Sequence, residues 1–222
     1  MSDVPQPPTI YQLRLVLAGV SPMIWRRLLV SSGTNIAQLH AYVQIAFDWT
    51  GEHLHRFHIH GKDYGIAYRG GLTFDDNPRD VLLSRFRLHA RETFCYEYDF
   101  TARWRVDIRM EAILPRDQQQ HKLPVCTAGR GAGPGEEYGG ALAYMQRLDR
   151  HRYEFPFEAL ATMAQQIRRW LDAGGSRQAL GNTEELQAAA ERVAAYYEFR
   201  PERCNRRRIN CELQAMVQKE AA

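Results

Sequence analysis

The amino-acid sequence predicts an α+β protein: a mainly antiparallel sheet, one helix inserted after the first hairpin, and a C-terminal helical segment. Three observations predict this class. Apolar and polar residues alternate in several segments of the first half, helical spacing dominates after Gly140, and strands precede helices instead of alternating with them. This separation favours α+β over a doubly wound parallel sheet.

The first predicted elements are a hairpin and a helix. Ile10–Leu17 alternates as a half-buried strand does, a Gly-Val-Ser-Pro turn follows, and the apolar segment Ile24–Val30 predicts the second strand. Asn35 is a helix-capping residue, and Gln38 stands three residues later, as a capping pattern requires. The apolar residues of this helix fall on one face: Ile36, Leu39, Val43 and Phe47.

Three further strands are predicted downstream: His53–His60, the aromatic segment Phe94–Phe100, and Trp104–Ala112. The last one alternates without interruption, so we expect one buried face and one charged face. The buried face would carry Trp104, Val106, Ile108 and Met110.

The pattern becomes helical after a glycine-rich loop at Gly129–Gly140. Pro156 stands where the first helical turn tolerates proline, and Asn182 with Glu185 resembles a capping pair. The predicted helices are Ala141–Leu148, Phe157–Leu171, a third that ends at Tyr197, and a last one from about Arg207.

Length and composition predict the domain organisation. The 222 residues are 45% hydrophobic, which is enough for a sizeable core. We predict a flexible tail at residues 1–9, an α+β domain at 10–150, and a helical extension at 151–222 that packs on or beside it.

Several features predict a cytoplasmic protein without membrane association. The sequence has no long apolar run of the kind that spans a bilayer, and its first residues lack a secretory signal pattern. The four cysteines form no C-x-x-C pair, so reduced thiols are expected.

Four histidines within eight residues mark the predicted strand His53–His60 as a candidate site. On a strand, His53 and His55 share a face about 6.5–7 Å apart, which lets two imidazoles reach one metal ion. Carboxylates from elsewhere would complete the ligands or act as acid or base. The candidate polar cluster is therefore His53, His55, Asp99, Glu136 and Glu137.

Structural roles explain the same residues more simply. Histidines pack at sheet edges, Asp99 can fix a turn, and the loop glycines allow left-handed turns or close backbone approach. Glu136 and Glu137 suit the start of the following helix. The H-E-x-x-H, G-x-G-x-x-G and Walker patterns are absent, so no catalytic residue is assigned and no cofactor is predicted. A divalent metal stays open for His53 and His55.

The basic residues are nearly all arginines, since only three of 29 are lysines, and the net charge is +3. The forked guanidinium suits phosphate and carboxylate groups. Arg206, Arg207 and Arg208 form the one dense basic run and are the candidate contacts to DNA or a protein partner. The alternative is a solvated helix face.

Four segments together carry a resemblance to a known family: YQLRLVLAGVSPMIWRRLLV, LHAYVQIAFDWTGEHLHRFHIHGKDYG, FCYEYDFTARWRVDIRME and AGRGAGPGEEYGGALAYMQRL. In this order, over about Ile10–Leu148, the chain resembles the plasmid pRiA4b ORF-3-like family. Members of this family also occur as passenger proteins of insertion elements and have no firmly established activity. The resemblance therefore implies a plasmid or mobile-element context more than a mechanism.

This chain departs from the family pattern in one motif. Members often carry a second acid and a histidine after the Tyr98-Asp99-Phe100 segment, where this chain has Ala102 and Val106. If that motif forms a site elsewhere in the family, two of its polar groups are missing here.

The sequence thus predicts an accessory protein of a plasmid or mobile element that acts as a binding or interaction module rather than an enzyme. DNA or a recombination protein is the expected partner, and the oligomeric state stays open. The alternative is a metal-dependent hydrolase that uses His53 and His55 with nearby carboxylates. A third hypothesis is an aromatic groove between the strands that binds a peptide.

Overall fold

The computed structural model describes residues 9–67, 72–116 and 122–220. Within these ranges the chain forms a seven-stranded antiparallel sheet and five α-helices, which confirms the predicted α+β class. The predicted tail lies outside the described residues except for Thr9. No helix in the described ranges is long and apolar enough to cross a membrane.

The sheet is built from antiparallel pairs only, in the order β4-β3-β5-β6-β1-β2-β7. Its first hairpin pairs Leu13 with Leu28, as the alternation of both strands predicts. The strands are β1 (Ile10–Leu17), β2 (Trp25–Ser31), β3 (His55–Ile59), β4 (Lys62–Tyr64), β5 (Thr93–Tyr98), β6 (Trp104–Leu114) and β7 (Val125–Arg130).

The two faces of the sheet differ in polarity. The predicted inner face of β6 is confirmed, because its four alternate side chains are fully buried: Trp104, Val106, Ile108 and Met110. On the other face Glu111 accepts hydrogen bonds from both Nε and Nη2 of Arg27, at 2.5 and 3.1 Å. Alternation along the strands therefore separates an apolar core from a face of paired charges.

Helix α1 (Ile36–Phe47) packs its apolar face into the core, and its predicted cap is confirmed. The Asn35 side chain accepts from the Gln38 backbone N–H at 2.8 Å, and the Gln38 side chain accepts from the Asn35 N–H at 3.1 Å. Two of the unpaired donors at the helix start are satisfied in this way.

Two predicted boundaries change in the structure. The predicted strand His53–His60 shortens to β3, because His53 lies before it and His60 takes a left-handed φ of 51° in the turn to β4. The predicted glycine-rich loop begins later, because Gly129 and Arg130 still pair with β2.

The remaining helices are α2 (Ala141–Tyr153), α3 (Phe157–Asp172), α4 (Thr183–Glu198) and α5 (Arg206–Glu220). The chain divides into two compact units. The sheet unit holds the residues up to 145 and those from 202, and the helical unit holds residues 146–201.

Helix α5 belongs to the sheet unit, whereas the sequence prediction grouped it with a helical extension that started at 151. The Asn210 side chain explains the difference. Its Oδ1 accepts from the Cys126 N–H at 2.7 Å and its Nδ2 donates to the Cys126 carbonyl at 3.1 Å. Asn210 thus satisfies backbone groups of the edge strand β7, which a sheet edge leaves open.

The helical unit is a small hairpin of α3 and α4 joined to the end of α2. Pro156 precedes α3, and the Asn182 side chain caps α4 by accepting from the Glu184 and Glu185 N–H groups at 3.1 and 3.3 Å. Its most buried side chains are small or polar: Ala159, Gln166 and Ala189. This leaves the hairpin with little core of its own.

Candidate functional site

His53 and His55 do not share a face of one strand in the structure. His55 begins β3 and is buried, whereas His53 precedes the strand and its ring is exposed. Their neighbours differ too, since His55 contacts His40 and His53 approaches Glu136. The two imidazole rings therefore contact different parts of the structure. In the described ranges, no group of three His, Cys, Asp or Glu side chains could hold a metal ion.

The histidine pair, His40 on α1 and His55 on β3, lies inside the core. The two rings stack with centroids 3.6 Å apart. His40 Nδ1 lies 2.8 Å from the Tyr96 hydroxyl, to which Gln44 Nε2 donates at 2.6 Å. Burial lowers the pKa of His40 to about 4, and burial together with His40 lowers the pKa of His55 to about 3. Both rings are therefore neutral near pH 7.

Glu136 is the centre of a second group of contacts, which we call the Glu136 cluster: Thr50, His53, Tyr98 and Glu136. Oε1 of Glu136 accepts hydrogen bonds from the Thr50 N–H at 2.6 Å and from the Tyr98 hydroxyl at 2.8 Å. Oε2 of Glu136 accepts one from the Thr50 hydroxyl at 2.8 Å. His53 Nε2 lies 3.9 Å from Oε2. The carboxylate thus ties the glycine-rich loop to the segment after α1.

The electrostatics of this cluster follow from the same hydrogen bonds. Burial alone would raise the pKa of Glu136, but the bonds from Tyr98 and Thr50 outweigh it and lower the pKa. Burial, and then the bond to the carboxylate, raises the pKa of Tyr98 to about 12. A carboxylate with a lowered pKa that already accepts three hydrogen bonds is a weak general base.

Asp99 fixes the turn between β5 and β6, as the structural interpretation predicts. It has a left-handed φ of 51°, and its Oδ1 accepts from the Thr101 and Ala102 N–H groups at 3.1 and 3.2 Å. The Asp99 side chain is therefore used locally, and its contacts do not include the Glu136 cluster.

Glu137 is exposed, and its carboxylate folds back over Gly135. Two other loop glycines are needed for close approach. At Gly133 a Cβ would collide with the backbone of Phe47, and at Gly140 it would collide with the Ala102 carbonyl while φ is +110°. The glycine pattern thus reflects backbone packing.

The two departures from the family motif fall at defined places. Val106 lies on the inner face of β6 directly opposite Tyr96, and the Ala102 N–H bonds to Asp99. A histidine at position 106 would therefore enter the core beside the histidine pair. Valine keeps this part of the core apolar.

The predicted basic run is largely engaged within the sheet unit. Arg206 Nη1 donates to the Thr127 carbonyl at 2.7 Å. Arg208 pairs with Asp48, and its Nε donates to Glu212 at 2.7 Å. Arg207 is exposed and forms no ion pair with a described residue. Two of the three candidate contacts thus hold α5 in place.

The sequence reasoning missed several polar residues of the core. His40 and Gln44 interrupt the apolar face of α1, four residues apart, and this interruption was the available signal. Arg26 was also missed, because the segment that contains it was predicted to be an apolar strand. Its buried guanidinium donates to the Ala46 and Arg130 carbonyls at 2.8 and 3.0 Å, so it binds the carbonyl end of α1.

Comparison with known proteins finds a matching family model and a related sequence. The model of the family described as plasmid pRiA4b ORF-3-like protein matches residues 9–174. The chain is 26% identical over 195 residues to the uncharacterized protein y4hQ of Sinorhizobium fredii, covering 84% of this chain and 93% of that protein.

A solved structure is also similar. It is a protein of unknown function, MM3350, from Methanosarcina mazei Go1, with a TM-score of 0.66 and 25% identity. The alignment covers 91% of this chain and 97% of that chain. The similarity thus extends beyond the sheet unit into the helical unit.

Proposed function

The chain belongs to the plasmid pRiA4b ORF-3-like family, and we propose that it is a non-catalytic binding module whose helical unit takes an amphipathic helix of a partner protein. The exposed apolar face of α3 carries the proposal. The α3 stripe recurs every three or four residues and consists of Phe157, Leu160, Ala164, Ile167 and Leu171.

This stripe is a separate face from the one that packs within the hairpin. Ala159 and Gln166 are the buried residues of α3, and they lie on its other apolar side. Phe157, Leu171 and Ile167 are 72%, 62% and 49% exposed. Large exposed apolar side chains in a row mark interaction surfaces, and a three-four spacing suits a second helix.

A protein partner is favoured over DNA because of where the arginines lie. Arg206 and Arg208 make contacts inside the sheet unit, so the run that predicted phosphate binding offers one uncommitted guanidinium, at Arg207. The net charge of +3 is modest for a protein that neutralises several phosphates. In the plasmid context that the family name implies, a recombination protein is the proposed partner class.

The non-catalytic part of the proposal rests on the candidate polar cluster. Glu136 accepts three hydrogen bonds, Asp99 holds a turn, and His55 is buried against His40. Each of these groups is used to hold the fold. We propose that the protein acts in the cytoplasm, where its free thiols stay reduced.

A matched pair of variants tests the proposal. Ile167→Gln with Leu171→Gln changes the α3 stripe, and Ile113→Gln changes an isoleucine of similar exposure, 45%, on β6. A protein counts as a specific partner if it binds the wild-type chain and the Ile113→Gln variant but does not bind the stripe variant. With that partner purified, the stripe variant is expected to raise the Kd about 30-fold, as hot-spot residues do.

Two outcomes would replace the proposal. Equal Kd values for the stripe variant and Ile113→Gln would remove the α3 stripe as the interface. Salt-dependent DNA binding that Arg207→Gln weakens and the stripe variant leaves intact would favour DNA as the partner.

A further inference from the structure

The helical unit contains an open cavity of about 270 Å³, and four of its eight lining residues are arginine or histidine. We call four of its lining residues the arginine pocket: Arg147, Arg150, His151 and Arg192. Arg147, Arg150 and His151 follow one face of α2, and Arg192 comes from α4. The volume lies just below the range of about 300–1,000 Å³ that is typical of drug-sized ligands, so a small ligand fits it.

Charge in this pocket is unbalanced. Three arginines are among the eight lining residues, and Glu154 is the single carboxylate. Arg147, Arg150 and Arg192 form no ion pair with any residue in the described part of the chain, Glu154 included. Three like charges around one small cavity repel each other, and a bound anion would relieve that repulsion.

The end of α2 explains only part of this arrangement. Cations in the last helical turn interact favourably with the helix dipole, and Arg150 and His151 occupy that turn. Arg192 lies in the body of α4, where the dipole gives no such benefit. Its presence at the same cavity therefore needs another reason.

One wall of the pocket is held in place before any ligand binds. His151 Nε2 lies 3.0 Å from the Tyr196 carbonyl, and because a carbonyl only accepts, Nε2 is the protonated nitrogen. The His151 ring stacks on Tyr196 at 4.3 Å, and the Arg147 guanidinium lies 5.0 Å from the Phe199 ring centre. Side chains fixed in this way lose less entropy on binding.

We propose that the arginine pocket binds the phosphate group of a small phosphorylated ligand. A phosphate monoester carries close to two negative charges and three acceptor oxygens, which matches several guanidinium forks better than a single carboxylate does. A cavity of this size holds one such group. A nucleic-acid backbone would instead need basic side chains spaced along a track.

Calorimetric titration of the full chain with inorganic phosphate tests the site, at ionic strength held constant with chloride. One phosphate is expected to bind per chain. Arg150→Gln and Arg192→Gln are each expected to raise the Kd about tenfold, the loss of one charge-assisted contact. Arg168→Gln is the matched control, because Arg168 is an exposed arginine of the same unit that pairs with Asp172.

A second variant separates binding from folding. Glu154→Gln removes the negative charge from the cavity, so it is expected to tighten phosphate binding several-fold, which a misfolded chain would not do. Competition experiments identify the kind of molecule that carries the bound phosphate group. The competitors are phenyl phosphate, an oligonucleotide with a 5′-phosphate and the same oligonucleotide without it. Displacement by phenyl phosphate at lower concentration than by either oligonucleotide is expected for a small ligand.

Three results would overturn the site. These are no phosphate binding beyond the chloride control, equal Kd values for the wild type and both arginine variants, or no tightening in Glu154→Gln. Stronger displacement by an oligonucleotide that lacks a 5′-phosphate would instead identify a nucleic-acid surface and contradict a small ligand.

Discussion

In the sheet unit, the histidine pair and the Glu136 cluster are held by hydrogen bonds or ring stacking, whereas the arginines around the helical unit's cavity have no ion pairs among the described residues. The apolar residues differ in the same direction. Trp104, Val106 and Ile108 on β6 are fully buried, but Phe157 and Leu171 on α3 are mostly exposed. This difference is the reason for proposing the helical unit, and not the sheet unit, as the binding surface.

The largest expected effect is a loss of folding stability at acidic pH, caused by the histidine pair. Unfolded histidines have a pKa of 6.5, and the folded values are about 4 for His40 and about 3 for His55. As pH falls below 6.5 the unfolded state takes up protons first, so the free energy of unfolding falls, down to about pH 4 for the His40 contribution and about pH 3 for that of His55. Each histidine contributes up to about 1.4 kcal/mol per pH unit to this loss. Urea denaturation at a series of pH values measures it.

His40→Gln tests the assignment of that pH dependence. This variant is expected to have a flatter dependence of unfolding free energy between pH 6.5 and 4. His58→Gln is the control, because His58 lies on the exposed side of β3 and pairs with Asp63. An unchanged slope in His40→Gln would mean that the buried pair is not the source.

The second effect concerns the glycine-rich loop. Gly133→Ala places a Cβ against the Phe47 backbone, so we expect destabilisation of about 1–3 kcal/mol from overpacking. Thermal unfolding is compared with that of Gly33→Ala, where the nearest atom to the new Cβ would be Ser31 Oγ at an ordinary 3.5 Å. Equal melting temperatures for the two variants would show that the close approach at Gly133 is not required.

A smaller effect is expected in the Glu136 cluster. Tyr98→Phe removes the hydroxyl that donates to Glu136 and accepts from the Gly51 N–H at 3.1 Å. We expect a loss of about 1–2 kcal/mol with partner binding unchanged. Tyr153→Phe, at an exposed tyrosine of the helical unit, is the control for stability. Lost partner binding in Tyr98→Phe would make this cluster functional.

The smallest expected effect tests the alternative function, a metal-dependent hydrolase. Since His53 and His55 face different neighbours, adding zinc or manganese is expected to leave the melting temperature unchanged. A metal-dependent rise that His55→Asn abolishes would return the metal-dependent hydrolase to consideration.

Much of the sheet and the first helix could be predicted because local pattern decides them. The alternation from Trp104 to Met110 and the Asn35 capping box both survive in the structure. Strand β7 was missed, because its sequence VCTAGR has no clear alternation and contains glycine, which is uncommon in strands. Strand β4 is three residues long, too short for any periodic signal.

The candidate site was harder to predict because it depends on contacts between distant segments. Glu136 was proposed from sequence, but its partners Tyr98 and Thr50 lie 38 and 86 residues away. His53 and His55 were grouped by spacing along one strand, and the strand starts only at His55. Spacing gives residue types that could act together, and tertiary contacts decide which ones do.

Photo-cross-linking in the cell tests the difference between the two units most directly. A benzophenone amino acid replaces Ile167 on the α3 stripe or Ile113 on β6, two isoleucines of similar exposure. If the helical unit is the binding surface, the chain with the label at 167 forms a discrete adduct with a partner protein and the chain labelled at 113 does not. Adducts from position 113 alone, or equal adducts from both positions, would contradict this assignment.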